Sequence, residues 1–433
     1  CLEKLGKKEP HCRGRFWGLS SRFQQVCNSW GKQRLRNFAH ANFHSAVTKT
    51  AVLMLNMGDS SHKEDVELFL KRVFTDNDIM SMPFQSILGP LIARRRAPKL
   101  AEKYKELEGS STLLQWTELQ GRQITNTLDN ISPKTGPHKY YIGFRYTNPL
   151  TEDSLEQIEK DGVERVVAFS QYPQYSCCTS GSSLNAIFRF YNEKKRKSAA
   201  RWSFIDRWPI HDAITKGYAS IIKEELKKFP EEIRDQVVIL FSAHSLPMKV
   251  VDKGDPYPTE VAATVVGVMN ELNNSHPYRL VWQSKVGPLP WLKPETEASM
   301  CALARKGHRH QLLVPVAFVN EHIETLHEMD LELGRDVAPK IGLLNFRRAP
   351  ALNDHPAFIQ VSKGRVRMSR VESRQVPEEG VLKWTILCFQ GLAALVKGHL
   401  ESGQKCSPQL LLTCPMCNKR ICKDMREWVA SLP

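Results

Sequence analysis

The sequence predicts an α/β fold of two Rossmann-like lobes with parallel sheets, and three observations support this prediction. Short apolar runs that suit buried strands alternate with helical stretches, as in parallel sheets with right-handed crossovers. The runs form two successive sets, one on either side of about residue 230. The chain has 433 residues, enough for two α/β domains, and a ligand cleft is expected between them.

The first set of strands begins with TAVLMLNMG at 50–58, an apolar run that ends in glycine. A mostly helical region at 64–130 follows it. YYIGFRY at 140–146 and RVVAFSQY at 165–172 read as further buried strands, with an amphipathic helical segment at 151–161 between them. These elements predict the first lobe.

The second set follows a helix expected at 212–229, which Pro230 ends. Strands are expected at 237–243, 278–284 and 311–318, and helices near 259–274 and 294–306 separate them. None of the helices begins with a G-x-G-x-x-G motif, so the sequence gives no support to dinucleotide binding.

The net charge of +15 is unevenly distributed, since residues 1–50 hold ten basic and only two acidic residues. We expect residues 1–46 to be a mitochondrial transit peptide; because the chain opens on Cys1, we expect that peptide to be incomplete. The alternative is a disordered basic tail. No apolar run is long enough to span a membrane, and nucleic-acid binding is not expected because the basic residues do not alternate with stacking aromatics.

Two segments carry the residues for chemistry. FSAHSLP at 241–247 places His244 just past a predicted strand, where open α/β sheets form their sites. NEHIETLHEMDLEL at 320–333 places Glu324, Glu328 and Glu332 four residues apart, along one face of a helix. An imidazole that faces a row of carboxylates suits a site that accepts protons and lets a hard cation move through it.

The cysteines form a second pattern. Cys414, Cys417 and Cys422 have the spacing C-x₂-C-x₄-C, while Cys177 and Cys178 lie in the middle of the chain. Three thiolates are one too few for a four-coordinate metal, so a distant ligand is needed. Eleven cysteines in a chain of intracellular character favour metal or redox use over a disulfide framework.

The motifs together resemble the ferrochelatases of animal mitochondria, which insert ferrous iron into protoporphyrin IX to form protoheme, the terminal step of heme biosynthesis. Besides FSAHSLP and HIETL, the resemblance includes YYIGFRYTNPLTE (140–152), FSQYPQYSCCTSGSSLNAI (169–187), DRWP (206–209), GDPYP (254–258) and YRLVWQSKVGPLPWL (278–292). It covers residues 51 to 360 and resumes at 391–422. The alternative function is a catalytically impaired porphyrin- or heme-binding scaffold, and a chelatase for another divalent metal is a third possibility.

The resemblance implies roles for the site residues. Metal insertion removes two pyrrole protons, and His244 with Glu324 and His211 would form the catalytic group. Glu321, Glu328 and Glu332 would form a proton or iron path. Substrate-binding residues implied by the motifs are Met57, Arg96, Tyr104, Ser111, Arg145, Tyr146, Trp291, Phe318 and His322; Arg96, Tyr104 and Ser111 would hold the propionates.

The resemblance also implies a cofactor and partners. Cys177 would join Cys414, Cys417 and Cys422 around a [2Fe–2S] cluster, with a zinc knob as the alternative. A homodimer, attached peripherally to the matrix side of the mitochondrial inner membrane, is expected.

Residues 79–96 end in Arg94, Arg95 and Arg96. They form either an ordinary packed helix with a basic end or part of an exposed membrane lip at 71–112.

The expected domains are the first lobe at 47–230, the second lobe at 231–405 and a cysteine-containing extension at 406–433. Residues 361–390 interrupt the resemblance, as a retained intron or a genuine insertion. Three departures from the family pattern motivate the alternative of a catalytically impaired scaffold: Asp59 and its neighbours replace a Gly-Gly-Pro-Glu run, residues 108–112 replace a glycine-rich run, and Ala394 replaces an aspartate.

Overall fold

Two four-stranded parallel sheets form the framework of the computed structural model, which describes residues 49–60, 63–107, 112–355 and 390–433. The expected transit peptide, Ser111 and residues 361–389 of the expected insert lie outside the described residues. The first sheet has the order β2-β1-β3-β4 and the second has the order β6-β5-β7-β8, with every neighbouring pair parallel. The strands are β1 Thr50–Asn56, β2 His138–Phe144, β3 Arg165–Ser170, β4 Arg201–Ile205, β5 Val238–His244, β6 Tyr278–Gln283, β7 His310–Pro315 and β8 Asn345–Arg348.

The central strands are largely apolar because helices cover both faces of each sheet. All seven residues of β1 are buried, and so are all six residues of β5 before His244. The prediction of two α/β lobes is confirmed. The edge strands β4 and β8 were not predicted; β8 reads NFRR, with all four residues partly exposed.

Helices connect the strands. The first lobe, the sheet β1–β4 with its crossovers, contains Val66–Thr75, Gln85–Glu106, Leu113–Ile131, Thr151–Lys160 and Ser182–Glu193. Asp212–Leu226 leads into the second lobe, which contains Met248–Val251, Tyr257–Glu271, Thr296–Arg305 and Ala338–Lys340. Near the carboxyl end lie Gln390–Ser402 and Arg420–Ser431. We name Gln85–Glu106 the lip helix and Arg420–Ser431 the tail helix.

The helix that carries the row of glutamates is a π-helix, Glu324–Val337, rather than the α-helix expected from the spacing. We name it the acid helix. Its hydrogen bonds span one residue more than in an α-helix, so residues four apart do not repeat on quite the same line. π-Helices are rare and occur mostly at functional sites.

The two sheets share one apolar core. Val52 and Met54 of β1 belong to the same buried cluster as Ile239 and Phe241 of β5. Helix Gln390–Ser402, assigned from the sequence to the second lobe, contributes its own apolar residues to this shared cluster, where Ile124 and Leu128 of the first lobe also lie.

The end of the chain returns to the first lobe. The Phe204 N–H of edge strand β4 donates to the Lys405 carbonyl at 2.6 Å, and the Ser407 N–H donates to Asp206 at 3.0 Å. Met425 and Val429 of the tail helix are fully buried in the core that also contains residues of β1 and β3. The tail is therefore an integral part of the first lobe.

Within the described residues, none of the helices has the length and apolar character needed to cross a membrane.

Candidate active site

His244 is the last residue of β5, at the carboxyl edge of the second sheet. Its Nδ1 lies 2.5 Å from the Ser245 carbonyl, which only accepts, so Nδ1 carries the proton in the neutral ring. The other nitrogen, Nε2, then presents a lone pair toward Glu324. The Trp291 ring lies beside the imidazole, with 6.3 Å between ring centroids. His244 therefore has the geometry of a proton acceptor next to an aromatic wall.

Glu324 lies between two imidazoles. Its Oε1 is 3.5 Å from His244 Nε2, and its Oε2 is 3.5 Å from His322 Nε2. Burial opposes ionisation, but His244 and His322 outweigh it and lower the pKa of Glu324 to about 2. The His322 ring also contacts Phe318, at 4.6 Å between centroids. Burial opposes charge on His322 as well, yet Glu324 and Asp59 raise its pKa above the ordinary value.

Glu328 is the next glutamate along the acid helix. Its two oxygens accept from the Ser284 N–H at 2.8 Å and the Ser284 hydroxyl at 2.5 Å. Burial and the neighbouring charge of Glu324 raise the pKa of Glu328 above the ordinary value, while the two Ser284 bonds partly oppose the rise. Glu328 therefore takes up a proton more readily than Glu324 does.

Two other acidic residues predicted for the path have different partners. Glu332 pairs with Lys103 of the lip helix, at 2.6 Å, and lies 3.3 Å from His327 Nδ1. Glu321 is buried, bonded to the Arg348 guanidinium and to the Ala351 N–H. The structure brings Glu324 and Glu328 together and places Glu332 at the lip helix. Glu321 bonds to the last residue of β8 and to the backbone that follows it.

Several predicted substrate-binding residues already have protein partners. The Arg145 guanidinium and the Tyr146 hydroxyl both bond to Asp76, at 2.5 and 2.7 Å. Burial raises the pKa of Tyr146 well above its ordinary value. The hydroxyl of Tyr104, a fully buried residue, donates to Asp59. Their roles toward a substrate stay predictions.

The other predicted substrate-binding residues lie on several different elements. Met57 follows β1, and its carbonyl accepts from the Tyr146 N–H at 3.0 Å. Trp291 and Phe318 flank His244 and His322, as described above. Arg96 is exposed on the lip helix, 5.6 Å above the Phe74 ring, and Arg94 and Arg95 are exposed beside it.

His211 lies at the start of helix Asp212–Leu226, where its Nδ1 accepts from the Ala213 N–H at 3.1 Å. Burial lowers the pKa of His211, so this imidazole favours the neutral form. Among the residues that the structure describes, no hydrogen bond or ion pair joins His211 to His244 or Glu324. Its catalytic role stays a prediction.

The four predicted cluster cysteines each have separate partners in the first lobe, the second lobe or the tail. Cys414 Sγ lies 3.7 Å from Arg426 Nη2, and Cys422 Sγ accepts from Asn185 Nδ2 at 3.6 Å. The Cys177 N–H donates to Asp255 at 2.8 Å. Across the described parts of the chain, no three His, Cys, Asp or Glu side chains lie close enough to hold one metal ion. Four thiols suit either a two-iron cluster or a zinc site chemically, and both stay predictions.

The sequence analysis missed three residues that contact the site. Ser284 follows β6, which is the neighbour of β5 in the sheet. The order of these parallel strands could therefore have predicted that Ser284 lies at the same carboxyl edge as His244. Lys103 lies in the last turn of the lip helix, and its pairing with Glu332 was not predictable from spacing. The sequence marked Asp59 only as a residue that replaces a glycine of the family pattern.

Comparisons with known proteins show the family of this chain. A family model described as Ferrochelatase matches residues 49–369. The mitochondrial ferrochelatase of Bos taurus is 49% identical over 383 residues, covering 88% of this chain and 85% of its own length. That of Drosophila melanogaster is 48% identical over 391 residues, covering 90% and 94%. That of Dictyostelium discoideum is 43% identical over 392 residues, covering 85% of each chain.

A solved structure of SirB from Bacillus subtilis with Fe3+ aligns with 72% of this chain and 91% of its own, at 11% identity and a TM-score of 0.40, too distant to carry an argument. The family model and the mitochondrial relatives are decisive. This chain belongs to the ferrochelatase family.

Proposed function

We propose that this chain inserts ferrous iron into protoporphyrin IX and forms protoheme, in the terminal step of heme biosynthesis. Membership of the ferrochelatase family supports this, and so do relatives that carry that name over most of their length. The single observation that supports it most is Glu324 held between His244 and His322, beside the aromatic rings of Trp291 and Phe318.

The reaction removes two protons from pyrrole nitrogens as Fe²⁺ takes their place. His244 accepts each proton at Nε2, because Nδ1 is committed to the Ser245 carbonyl. Glu324, with its pKa of about 2, stays ionised and stabilises the imidazolium that forms. Glu328, with its raised pKa, takes the proton onward. We therefore favour the proton exit as the role of these carboxylates, with Glu332 at its outer end.

The macrocycle would lie against polarizable and aromatic side chains. Met57, Trp291 and Phe318 are the residues we propose for its faces. Arg145 and Tyr146 would shape the slot through Asp76. Arg96 would hold a propionate, together with Tyr104 and Ser111 as the resemblance implies.

The exposed apolar side chains of the lip helix support attachment to a membrane surface. Phe84 is 77% exposed, Ile87 62% and Leu91 59%, and the three exposed arginines follow on the same helix. Such a surface suits the interface of a bilayer with anionic lipids. The relatives are mitochondrial, so we place this chain in the mitochondrion, peripherally on the matrix side of the inner membrane, with residues 1–46 as its transit peptide.

The cofactor we propose is a [2Fe–2S] cluster held by Cys177, Cys414, Cys417 and Cys422. When bound, it would tie the tail to the first lobe and add a one-electron redox centre. The four thiols support it chemically, and Arg426 beside Cys414 would offset part of the negative charge of the thiolates. A homodimer is the assembly we propose, on the resemblance alone.

An anaerobic assay with protoporphyrin IX and ferrous iron tests the function. We expect loss of porphyrin fluorescence and growth of the heme absorbance with the unmodified chain. His244→Ala should abolish turnover while porphyrin binding persists, and His308→Ala, at an exposed histidine, should leave turnover unchanged. Tight porphyrin binding by the unmodified chain without any turnover would contradict the proposal and support a binding scaffold.

A further inference from the structure

Asp59 is a buried carboxylate at a position where the ferrochelatase pattern has glycine. It follows β1 and is only 6% exposed. The Tyr104 hydroxyl and the Ser60 N–H donate to Oδ1, the latter at 2.9 Å, and the Ile323 N–H donates to Oδ2 at 3.3 Å. The replacement of glycine has therefore created a polar junction, rather than only removing backbone freedom.

The partners of Asp59 belong to two different elements. Tyr104 lies in the last turn of the lip helix, and Ile323 immediately precedes Glu324 at the start of the acid helix. The Ile323 side chain packs into the apolar cluster of the lip, which includes Phe74 and Ala97. Asp59 thus joins the lip helix to the first turn of the acid helix.

The position of the carboxylate is also favourable electrostatically. The first N–H groups of a helix lack partners within the helix, and the helix dipole favours a negative charge there. Asp59 accepts from one of these N–H groups. Its charge also favours the protonated form of His322, the imidazole on one side of Glu324.

We propose that Asp59 is a positioning residue: it holds the first turn of the acid helix against the lip helix, and so fixes Glu324 between His244 and His322. The kinetic part of this inference rests on the proposed function, whereas its structural part does not. A glycine at this position has no side chain to make these bonds, so this chain uses a device that its family pattern lacks.

Hydrogen exchange of the full chain tests the structural part without any substrate. Asp59→Asn and Asp59→Gly should accelerate exchange at the Ile323 amide by about tenfold or more, since an accepted hydrogen bond is lost or weakened. The matched control is Glu102→Gln, which removes the same charge from an exposed position on the lip helix. Unchanged protection of Ile323 in both Asp59 variants would overturn the proposal.

Kinetics test the consequence for Glu324. Asp59→Asn should lower kcat about tenfold and change KM for the porphyrin by less than about twofold, because the bond positions a reacting group rather than the substrate. The limb of the pH profile that follows the titration of His322 should move to lower pH, because His322 loses a neighbouring negative charge. The other ionisable groups that interact with the His322–Glu324 pair are Glu321, Glu328, His244, Lys103, Tyr172, Tyr257 and, through Glu321, Arg348.

The outcomes separate the two proposals. If the unmodified chain makes no heme, the proposed function fails, and the exchange result still decides whether Asp59 holds the acid helix. If the chain makes heme and Asp59→Asn matches Glu102→Gln in kcat and pH profile, the positioning role fails. If the Asp59 variants do not fold, Tyr104→Phe replaces them in the exchange experiment: it removes one hydroxyl from the same junction and should give a smaller acceleration of exchange at the Ile323 amide.

Discussion

Nε2 of His244 and Oε1 of Glu324 lie 3.5 Å apart, joining the end of β5 to the first residue of the acid helix. A second imidazole, His322, lies on the other side of the carboxylate at the same distance. The pKa of Glu324, lowered to about 2 by these imidazoles against the effect of burial, keeps this carboxylate ionised near neutral pH, so it acts as a negative charge beside the proton acceptor.

The same pair predicts how stability depends on pH. The folded-state pKa of Glu324, about 2, lies below the ordinary 4.5, so its stabilisation is complete above about pH 4.5 and disappears toward pH 2. The folded-state pKa of His322 lies above the ordinary 6.5, so its stabilisation is complete below about pH 6.5 and is lost as pH rises through the raised pKa. Glu324→Gln should therefore reduce the free energy of unfolding by about 1 kcal/mol near pH 6, and by less near pH 9.

Chemical denaturation of both proteins at the two pH values checks this. Glu297→Gln, at an exposed glutamate, provides the control, and its effect should be small and independent of pH. An effect of Glu324→Gln that grows as the pH rises would show that the imidazoles do not stabilise the carboxylate.

Ser284 predicts a shift in the pH dependence of activity. Its two bonds hold down the pKa of Glu328, which burial and Glu324 raise. Ser284→Ala should raise that pKa further, and should move the acid limb of iron insertion upward by roughly half to one pH unit. Ser275→Ala, at an exposed serine, should leave the profile unchanged. An unmoved acid limb in Ser284→Ala would exclude Glu328 from the proton exit.

Cys177 and its neighbour Cys178 give a sharp test of the cluster, since their sulfurs are 3.9 Å apart and only one is the predicted ligand. After anaerobic reconstitution, Cys177→Ser should lose the visible absorbance of a [2Fe–2S] cluster and its iron, whereas Cys178→Ser should retain both. Cys301→Ser serves as a control away from the tail motif. If Cys178→Ser loses the cluster and Cys177→Ser keeps it, the ligand assignment is wrong.

The lip helix predicts membrane binding. Replacing Phe84, Ile87 and Leu91 together by serine removes most of the exposed apolar area at the start of this helix. Binding to vesicles that contain an anionic phospholipid should fall about tenfold or more in a co-sedimentation assay. Leu68→Ser, at an exposed leucine on the preceding helix, should have little effect. Equal binding by the triple variant would exclude this surface as the membrane lip.

Much of the fold was predictable because buried parallel strands are apolar without interruption. TAVLMLN and VILFSAH show this pattern, and both form central strands. The strands β4 and β8 escaped prediction because polar and charged residues interrupt the apolar run in RWSFI and NFRR, whereas β2 and β6, which are also edge strands, keep enough apolar residues to be predicted. The π-helix was not predictable either, since glutamates four residues apart fit one face of an α-helix as well.

The site was predictable where a motif places a residue at the end of a strand. His244 and Glu324 were expected to pair, and the structure places them together. The contacts of Asp59, Lys103 and Ser284 depend on how separate elements approach each other, which no local pattern specifies. A long-range polar contact of this kind has no periodicity in the sequence.

The return of the tail to the first lobe has a consequence for how the protein is made. Cys406, Leu410, Met425 and Val429 complete a core whose other members come from the amino-terminal half of the chain. During synthesis, or during translocation through a membrane pore, that lobe stays unfinished until the final residues emerge. A premature stop codon near the carboxyl end therefore destabilises the amino-terminal lobe. The nascent chain needs protection from misfolding until its elongation is complete.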